Sequence, residues 1–229
     1  MEKHFNVGNY IKDLVYGAND GIITTFAVVA GAVGAGMSSS VIIILGFANL
    51  LADGFSMAAS NFLGSRSENA LYREEEKREW NEVENLPEKE HQEVMEIFEK
   101  HGFDVETSGQ LTALIKSNKK FWVDFMMKYE LGFADPEHGS EWKGATLTFF
   151  AFVIAGTLPL LPFTFLSISQ ESIFLYSILA TSFALFTVGS LRSVITKAHW
   201  LWSGMEMLFV GGIAAAVSYY VGYFISAIV

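Results

Sequence analysis

Two pairs of glutamates, each spaced three residues apart, stand out in the middle of the chain: Glu79 with Glu82, and Glu90 with Glu93. Residues i and i+3 share one face of a helix, so each pair can direct two carboxylates at a single point. Carboxylates held in this way either repel one another or share a cation. On spacing alone, a solvated helical face is the simpler interpretation, because twelve glutamates lie between residues 68 and 99.

A further group, Met126, Met127 and Glu130, favours metal binding over the solvated face. Three aromatic residues are interleaved with this group: Trp122, Phe125 and Tyr129. The helix that carries them therefore has an apolar face that can pack against the glutamate-bearing helices. A mixture of carboxylate and thioether ligands fits Fe²⁺ and Mn²⁺ better than Ca²⁺, and such a set can also bind Zn²⁺.

A Glu-x-x-His motif, formed by Glu88 and His91, has the spacing of ligands in di-iron carboxylate proteins. The motif occurs once, whereas the di-iron fold needs two copies, so it is weak support for redox chemistry. Two alternatives to transport stay open on these residues. One is a membrane-anchored carboxylate iron oxidase built on Glu88, Glu90, His91 and Glu130, and the other is a metal-binding sensor without transport.

Charged residues are concentrated in residues 66–143, which hold 11 of the 15 Lys and Arg and 19 of the 25 Asp and Glu. The net charge of the whole chain is −10, which disfavours nucleic acid as a partner and attracts cations. The chain has no Cys, so disulfides, thiolate metal sites and thiol catalysis are excluded. Gly-rich nucleotide loops and nucleophile–base patterns are absent from the sequence. We expect neither an enzyme reaction nor a permanent cofactor.

The remainder of the chain is apolar, and 51% of all residues are hydrophobic. About 20 apolar residues cross a bilayer, and five stretches qualify: about Tyr16 to Met37, Val41 to Gly64, Gly144 to Leu166, Ser172 to Leu191 and Trp202 to Val229. Pro159 and Pro162 should end or kink the third. The predicted fold is an all-α integral membrane protein with five transmembrane helices. Spans one and two occupy residues 1–65, a helical cytosolic metal-binding domain follows at 66–143, and spans three to five occupy 144–229.

The positive residues predict the orientation of these spans. All 15 Lys and Arg lie before span one, within residues 66–143, or between spans four and five. Because Lys and Arg remain on the cytoplasmic side, we expect the N-terminus and residues 66–143 inside and the C-terminus outside. The first residues are polar and do not form a signal peptide. A prokaryotic cell membrane is the expected location.

Two carboxylates are expected within the membrane spans, Asp20 in span one and Asp53 in span two. A carboxylate in the bilayer is costly and indicates a functional site. Met57 lies four residues after Asp53, on the same helical face. Beside carboxylates, its thioether is a plausible soft ligand for Fe²⁺ rather than for Mg²⁺ or Ca²⁺.

Local signals divide residues 66–143 into helices. Nothing in the sequence breaks span two before about Asn85, and Pro87 suits a first helical position. Gly102 should end the helix that Pro87 begins. Two more helices are predicted at about 108–117 and 119–131, the second ended by a glycine.

Three stretches resemble the vacuolar iron transporter family: YGANDGIITTFAVVAGAVGA, LADGFSMAASNFLGSRSE, and the block from Tyr72 through WVDFMMKYELG. The resemblance covers nearly the whole chain. It implies a five-span homodimer that exchanges cytosolic Fe²⁺, and often Mn²⁺, for protons. The implied path lies between the two subunits and is lined by spans one and two.

The resemblance also implies roles for single residues. The family's pore aspartate falls on Asp20 and its pore methionine on Met57. Where plant members have a second pore glutamate, this chain has Asn49, with Asp53 one turn later; asparagine can ligate through its carbonyl but cannot carry a proton. The family's cytosolic metal ligands fall on Glu79, Glu82, Glu90, Glu93, Met126, Met127 and Glu130.

These observations together predict a membrane transporter that exports Fe²⁺, and Mn²⁺ as well, from the cytoplasm by proton antiport. Its expected partners are divalent metal ions, protons, the lipid bilayer and a second copy of the chain. Small residues on span one, Ala27, Gly31 and Gly34, are three or four apart and permit close helix approach. We therefore expect the homodimer contact at these residues.

Overall fold

The structure, a computed structural model, describes residues 7–134 and 140–228. The described residues form helices and no strand, so the predicted all-α class is confirmed. The helices are α1 (Val7–Gly34), α2 (Ser39–Asn85), α3 (Pro87–Lys100), α4 (Val105–Lys116), α5 (Lys119–Tyr129), α6 (Ser140–Thr157), α7 (Leu161–Phe165), α8 (Gln170–Thr196) and α9 (Trp200–Ser226). A short 3₁₀ turn, Leu158–Leu160, joins α6 to α7.

The chain forms two compact units. We call Met1–Phe62 together with Glu141–Val229 the membrane unit, and Leu63–Ser140 the acidic unit. Helix α2 contributes residues to both, because it runs without a break through 47 residues. The predicted end of this helix at Asn85 is confirmed.

Within the part of the chain that the structure describes, five helical segments are long and apolar enough to cross a bilayer, and the predicted number of spans is confirmed. They are Ile11–Gly34, Ser39–Asn85, Glu141–Phe165, Gln170–Ser193 and Trp200–Ser226. The third is interrupted where the prolines were expected to act. Pro159 lies in the 3₁₀ turn and Pro162 in the first turn of α7, because a proline donates no backbone hydrogen bond and tightens or breaks the helix around it. The carbonyl of Pro159 accepts a 2.7 Å hydrogen bond from Ser177 on α8.

Glycines of α1 allow neighbouring helices of the membrane unit to approach closely. A Cβ on Gly21 would collide with the backbone carbonyl of Phe152 on α6, and a Cβ on Gly34 would collide with that of Tyr219 on α9. A Cβ on Gly31 would lie 3.3 Å from the carbonyl oxygen of Ser218, also on α9. The expectation that Gly31 and Gly34 face a second subunit is therefore wrong. The sequence shows that a helix face of small residues permits close packing, but it does not show which helix packs there.

Each unit has its own hydrophobic core. In the membrane unit, side chains of α1, α2 and α6 meet in one cluster that includes Val29, Leu50 and Phe152, all fully buried. In the acidic unit, Val83 of α2, Val94 of α3 and most of one face of α5 form another cluster. The α5 residues in that core are Trp122, Val123, Phe125, Met126 and Met127. The predicted apolar face of α5 is thus buried against the glutamate-bearing helices.

The helix boundaries of the acidic unit follow the sequence signals closely. Pro87 is the first residue of α3, and Gly102 follows the end of that helix with φ +94°, a conformation that L-residues rarely adopt. Helix α4 begins at Val105, three residues before the predicted start at 108, because the Asp104 side chain caps it by accepting a 2.8 Å hydrogen bond from the Thr107 amide. Helix α5 begins at Lys119 as predicted.

Candidate functional site

Three carboxylates from three different helices converge in the acidic unit. Glu79 lies on α2, Glu90 on α3, and Glu130 at the C-terminal end of α5. One oxygen from each lies within 4.8 Å of the others, the one such acidic or histidine group among the described residues. The convergence is between helices, whereas the sequence spacing had shown only pairs along each helix. A single cation can be shared by all three groups.

The two inner carboxylates are buried and incompletely paired. Glu79 is 5% exposed and Glu90 is 1% exposed. In both residues the Oε2 atom is buried without a hydrogen-bond partner among the described residues. A buried polar atom left unpaired costs about 1–3 kcal/mol, and more when it is charged. Two such oxygens beside a third carboxylate are therefore positioned to take up a proton or a metal ion.

Burial and mutual repulsion change the proton affinity of these groups. Burial raises the pKa of Glu79 to about 7, and the negative charges of Glu130, Glu82 and Glu93 add to the shift. The pKa of Glu90 also rises to about 7, first through burial and then through repulsion from Glu93 and Glu79. The pKa of Glu130 is raised for the same reasons. In the absence of metal, these carboxyl groups hold protons that ordinary glutamates would have lost.

Glu82 and Glu93, the outer carboxylates, are instead paired with basic side chains. Lys89 Nζ lies 2.8 Å from Glu82 Oε2 and 3.2 Å from Glu93 Oε1. Arg78 Nε donates a 2.9 Å hydrogen bond to Glu82 Oε1. Hydrogen bonds from Lys89 and Arg78 lower the pKa of Glu82 below its usual value. The structure therefore divides the four predicted glutamate ligands into two pairs. In the inner pair, Glu79 and Glu90, the nearest cation is Lys89, whose Nζ lies 3.5 Å from Glu90 Oε1, whereas the outer pair, Glu82 and Glu93, is held closely by Lys89 and Arg78.

Both predicted methionine ligands lie in the core of the acidic unit. Met126 and Met127 are buried among Val83, Val94 and Trp122. Glu130 is attached to the same turn, since its amide donates a 3.0 Å hydrogen bond to the Met126 carbonyl. Packing explains the burial of both thioethers without a metal ion, so their role as ligands stays a prediction.

The Glu-x-x-His motif is not assembled into a ligand set. Of the four residues considered for an iron oxidase, only Glu90 and Glu130 belong to the group of three converging carboxylates. Glu88 is exposed to solvent. His91 Nδ1 is buried without a hydrogen-bond partner among the described residues, but it lies outside that group.

In the membrane unit, the predicted path residues lie on α1 and α2. Asn49 Nδ2 donates a 2.7 Å hydrogen bond to Asp53 Oδ2, one turn further along α2. Asp20 on α1 is close enough to Asp53 for the two carboxylates to interact electrostatically. Met57 is partly buried against the core cluster of the unit. All four side chains are partly exposed, so none is sealed inside a single chain.

Three polar contacts of the membrane unit, two made by Asn61 and one by Glu206, were missed by sequence reasoning. Asn61 Nδ2 donates to Asp13 Oδ1 at 2.8 Å and to Thr148 Oγ1 at 3.0 Å, and so links α1, α2 and α6. Glu206, a charge inside predicted span five, pairs with Arg192 of α8 at 2.5 Å. Glu206 could have been recognised from the sequence, because it is a charged residue within an apolar stretch. Asp13 precedes the predicted start of span one, and only the structure shows its partners.

Comparison with known proteins confirms the family resemblance of the sequence over nearly the whole chain. The model of the VIT family matches residues 11–223. A vacuolar iron transporter of Centaurea cyanus is 34% identical over 218 residues, which cover 95% of this chain and 89% of the relative. Vacuolar iron transporter 1 of Arabidopsis thaliana is also 34% identical, with 95% and 87% covered. A vacuolar iron transporter of Toxoplasma gondii is 35% identical over 240 residues, with 100% and 78% covered.

Proposed function

The chain belongs to the VIT family, and from this membership and the site geometry we propose that it exports Fe²⁺, and also Mn²⁺, from the cytoplasm in exchange for protons. At the coarser level it is a multi-pass membrane transporter of iron and not an enzyme. The observation that carries the proposal is the convergence of Glu79, Glu90 and Glu130 with two buried carboxylate oxygens that lack partners.

In this proposal the acidic unit collects metal ions from the cytoplasm. Glu79, Glu90 and Glu130 form the inner part of the site. Carboxylates bind Fe²⁺ and Mn²⁺ in their deprotonated form, and an ion bound here removes the unpaired charge that burial would otherwise penalise. The remaining proposed ligands are Glu82, Glu93, Met126 and Met127. We place residues 66–143 and the N-terminus in the cytoplasm, and the C-terminus outside, on the distribution of Lys and Arg.

The membrane unit provides the proposed path. Asp20 and Met57 would pass the ion across, with Asp53 as a second carboxylate and Asn49 as its hydrogen-bond donor. Support comes from the electrostatic proximity of Asp20 and Asp53 and from their partial exposure. A carboxylate that loses its metal ion in a low-dielectric setting can take a proton instead. This alternation is the simplest exchange chemistry that such residues offer.

A homodimer with a path between its subunits is also part of the proposal, and it rests on the family resemblance. The partly exposed side chains of Asp20, Asn49, Asp53 and Met57 are compatible with a path that a second copy completes. Since α9 covers Gly31 and Gly34, the contact between copies must use other residues. A prokaryotic cell membrane remains the proposed location, while the relatives named above are called vacuolar.

Sealed vesicles containing the purified chain test this function against the alternatives. With Fe²⁺ outside and a metal-sensitive dye inside, a transporter loads metal into the lumen. An iron oxidase would instead produce Fe³⁺ outside and consume oxygen, and a sensor would do neither. A pH-sensitive dye in the lumen reports whether protons leave as Fe²⁺ enters. Fe²⁺ entry with no proton movement would reject the antiport part of the proposal alone.

A further inference from the structure

Lys89 makes an unusual set of contacts for a lysine in the first turn of a helix. Its Nζ lies 2.8 Å from Glu82 Oε2, 3.2 Å from Glu93 Oε1 and 3.5 Å from Glu90 Oε1. These three carboxylates come from two helices, α2 and α3. The ammonium therefore bridges the helices at the point where the proposed ligands meet.

The oxygens that Lys89 contacts are those that a metal ion at the outer carboxylates would need. An ammonium and a divalent cation placed a few ångströms apart repel each other strongly, so both cannot be held by Glu82 and Glu93 at once. Arg78 occupies the other oxygen of Glu82 at 2.9 Å. By contrast, the Oε2 atoms of Glu79 and Glu90 have no partner among the described residues. A metal ion must therefore displace a cation to bind the outer carboxylates, whereas Glu79 and Glu90 each offer one buried oxygen that no described residue occupies.

Lys89 can leave its position without disturbing the core. Its side chain is 51% exposed, and lysine has a flexible four-carbon stem that can turn its ammonium into water. Exposed ion pairs of this kind are weak, because water and salt screen them. Such contacts are strong enough to compete with a metal ion for the same oxygens and weak enough to be displaced.

We propose that Lys89 is a built-in competitor cation, which occupies Glu82 and Glu93 until a metal ion displaces it and which returns when the ion leaves. The proposal rests on the metal-binding role of these glutamates in the proposed function. Its consequence is two classes of binding: a tighter one at the inner carboxylates and a weaker, rapidly released one at the outer carboxylates. Rapid release matters for a transporter, because an ion that binds too tightly is not passed on.

Mn²⁺ titration of the full-length chain in detergent tests the proposal. Free Mn²⁺ is followed by electron paramagnetic resonance for the parent, for Lys89→Gln and for Lys89→Arg. Lys119→Gln is the matched control, because Lys119 belongs to the same unit and pairs with Glu84 at 3.7 Å, which is not a proposed ligand. We expect Lys89→Gln to bind its weaker class of Mn²⁺ roughly threefold to thirtyfold tighter, from two or three lost competing pairs. Lys89→Arg and Lys119→Gln should bind Mn²⁺ as the parent does.

The possible results separate this inference from the proposed function. If the parent binds Mn²⁺ and Lys89→Gln binds it with the same or lower affinity, Lys89 is not a competitor, and the ligand assignment stands. If Lys119→Gln tightens binding as much as Lys89→Gln does, the effect is one of overall charge and the inference is also rejected. If neither the parent nor Lys89→Gln binds Mn²⁺, both the competitor role and the ligand assignment are rejected.

Discussion

Asn49 donates a 2.7 Å hydrogen bond to Asp53 one turn later on α2. An amide side chain cannot carry a proton between the two sides of the membrane, whereas a carboxylate side chain can bind and release one. Asp53 is also the charged group that interacts electrostatically with Asp20 on α1. In this chain the ionisable partner of Asp20 is therefore at position 53, and Asn49 orients it.

The first prediction concerns this pair in transport. Asp53→Asn should weaken the dependence of metal uptake on a pH gradient, because one proton-carrying group is lost. Asn49→Glu should leave transport intact and steepen that dependence, because it adds one. The double variant Asn49→Glu/Asp53→Asn should behave like the parent. Glu206→Gln is the control, since Glu206 pairs with Arg192 elsewhere in the membrane unit. Uptake by Asp53→Asn with the parent's pH dependence would contradict the assignment.

The second prediction concerns metal binding by the inner carboxylates. Glu79→Gln and Glu90→Gln should each weaken Mn²⁺ binding by the full-length chain at least tenfold, because each removes one charged ligand from a buried site. Replacing Glu79, Glu82, Glu90 and Glu93 together by Gln should abolish binding. Glu84→Gln, a change at an exposed glutamate of the same helix, should have no effect. Isothermal titration calorimetry measures the Mn²⁺ affinity of all these variants. If the quadruple variant binds Mn²⁺ like the parent, the glutamates form only a solvated helical face.

The third prediction is a pH dependence of stability. Glu79 and Glu90 have pKa values of about 7 in the fold, against an ordinary 4.5. Between these values the folded protein holds more protons than the unfolded chain, so stability without metal should fall as pH rises from about 4.5 to about 7 and level off above that. Thermal unfolding of metal-free protein across this range is the measurement. The double variant Glu79→Gln/Glu90→Gln should lose most of this slope.

Bound Mn²⁺ should reverse the loss of stability with rising pH. Because Mn²⁺ binds the deprotonated carboxylates of the folded state, it should raise the unfolding temperature above about pH 7 and have little effect near pH 5. An equal Mn²⁺ effect at both pH values would show that these carboxyl groups do not titrate in the predicted window. If Mn²⁺ raises the unfolding temperature of the Glu79→Gln/Glu90→Gln variant as much as that of the parent, the stabilising ion binds elsewhere.

Much of the acidic unit could be predicted from its sequence, because its helix ends depend on local chemistry. Asn85, Pro87 and Gly102 mark boundaries through backbone preferences that neighbouring residues alone determine. The start of α4 was missed, since Asp104 is one of many acidic residues and only the structure identifies it as the cap. The five spans were predictable for a similar reason, since apolar length is a local property.

Contacts between helices could not be predicted in the same way. Spacing showed that Glu79 and Glu90 belong to acidic faces, but not that they converge with Glu130 while Lys89 pairs with Glu82 and Glu93. The glycines of α1 were recognised as a close-packing face and then assigned to the wrong partner. In each case the sequence gives the chemical character of a helix face, whereas the neighbour is determined by the packing of the whole unit.

The fourth prediction tests the packing of those glycines. Gly34→Ala places a methyl group against the Tyr219 backbone, and backbone cannot move aside as a side chain can. We expect a loss of about 1–3 kcal/mol of stability, seen as a lower unfolding temperature in detergent. Gly212→Ala on α9 is the control, because a Cβ there meets nothing within 4 Å. Equal unfolding temperatures for the two variants would contradict the α1–α9 contact.

The most direct test of the transport mechanism is metal uptake by Asp20→Asn in sealed vesicles. An amide fills nearly the volume of the carboxylate, so the fold should be kept, while both the charge and the exchangeable proton are lost. We predict that Fe²⁺ and Mn²⁺ uptake falls to the level of protein-free vesicles, and that Mn²⁺ binding by the same purified variant stays at the parent's affinity through the acidic unit. Uptake by Asp20→Asn at the parent's rate would contradict the proposed path.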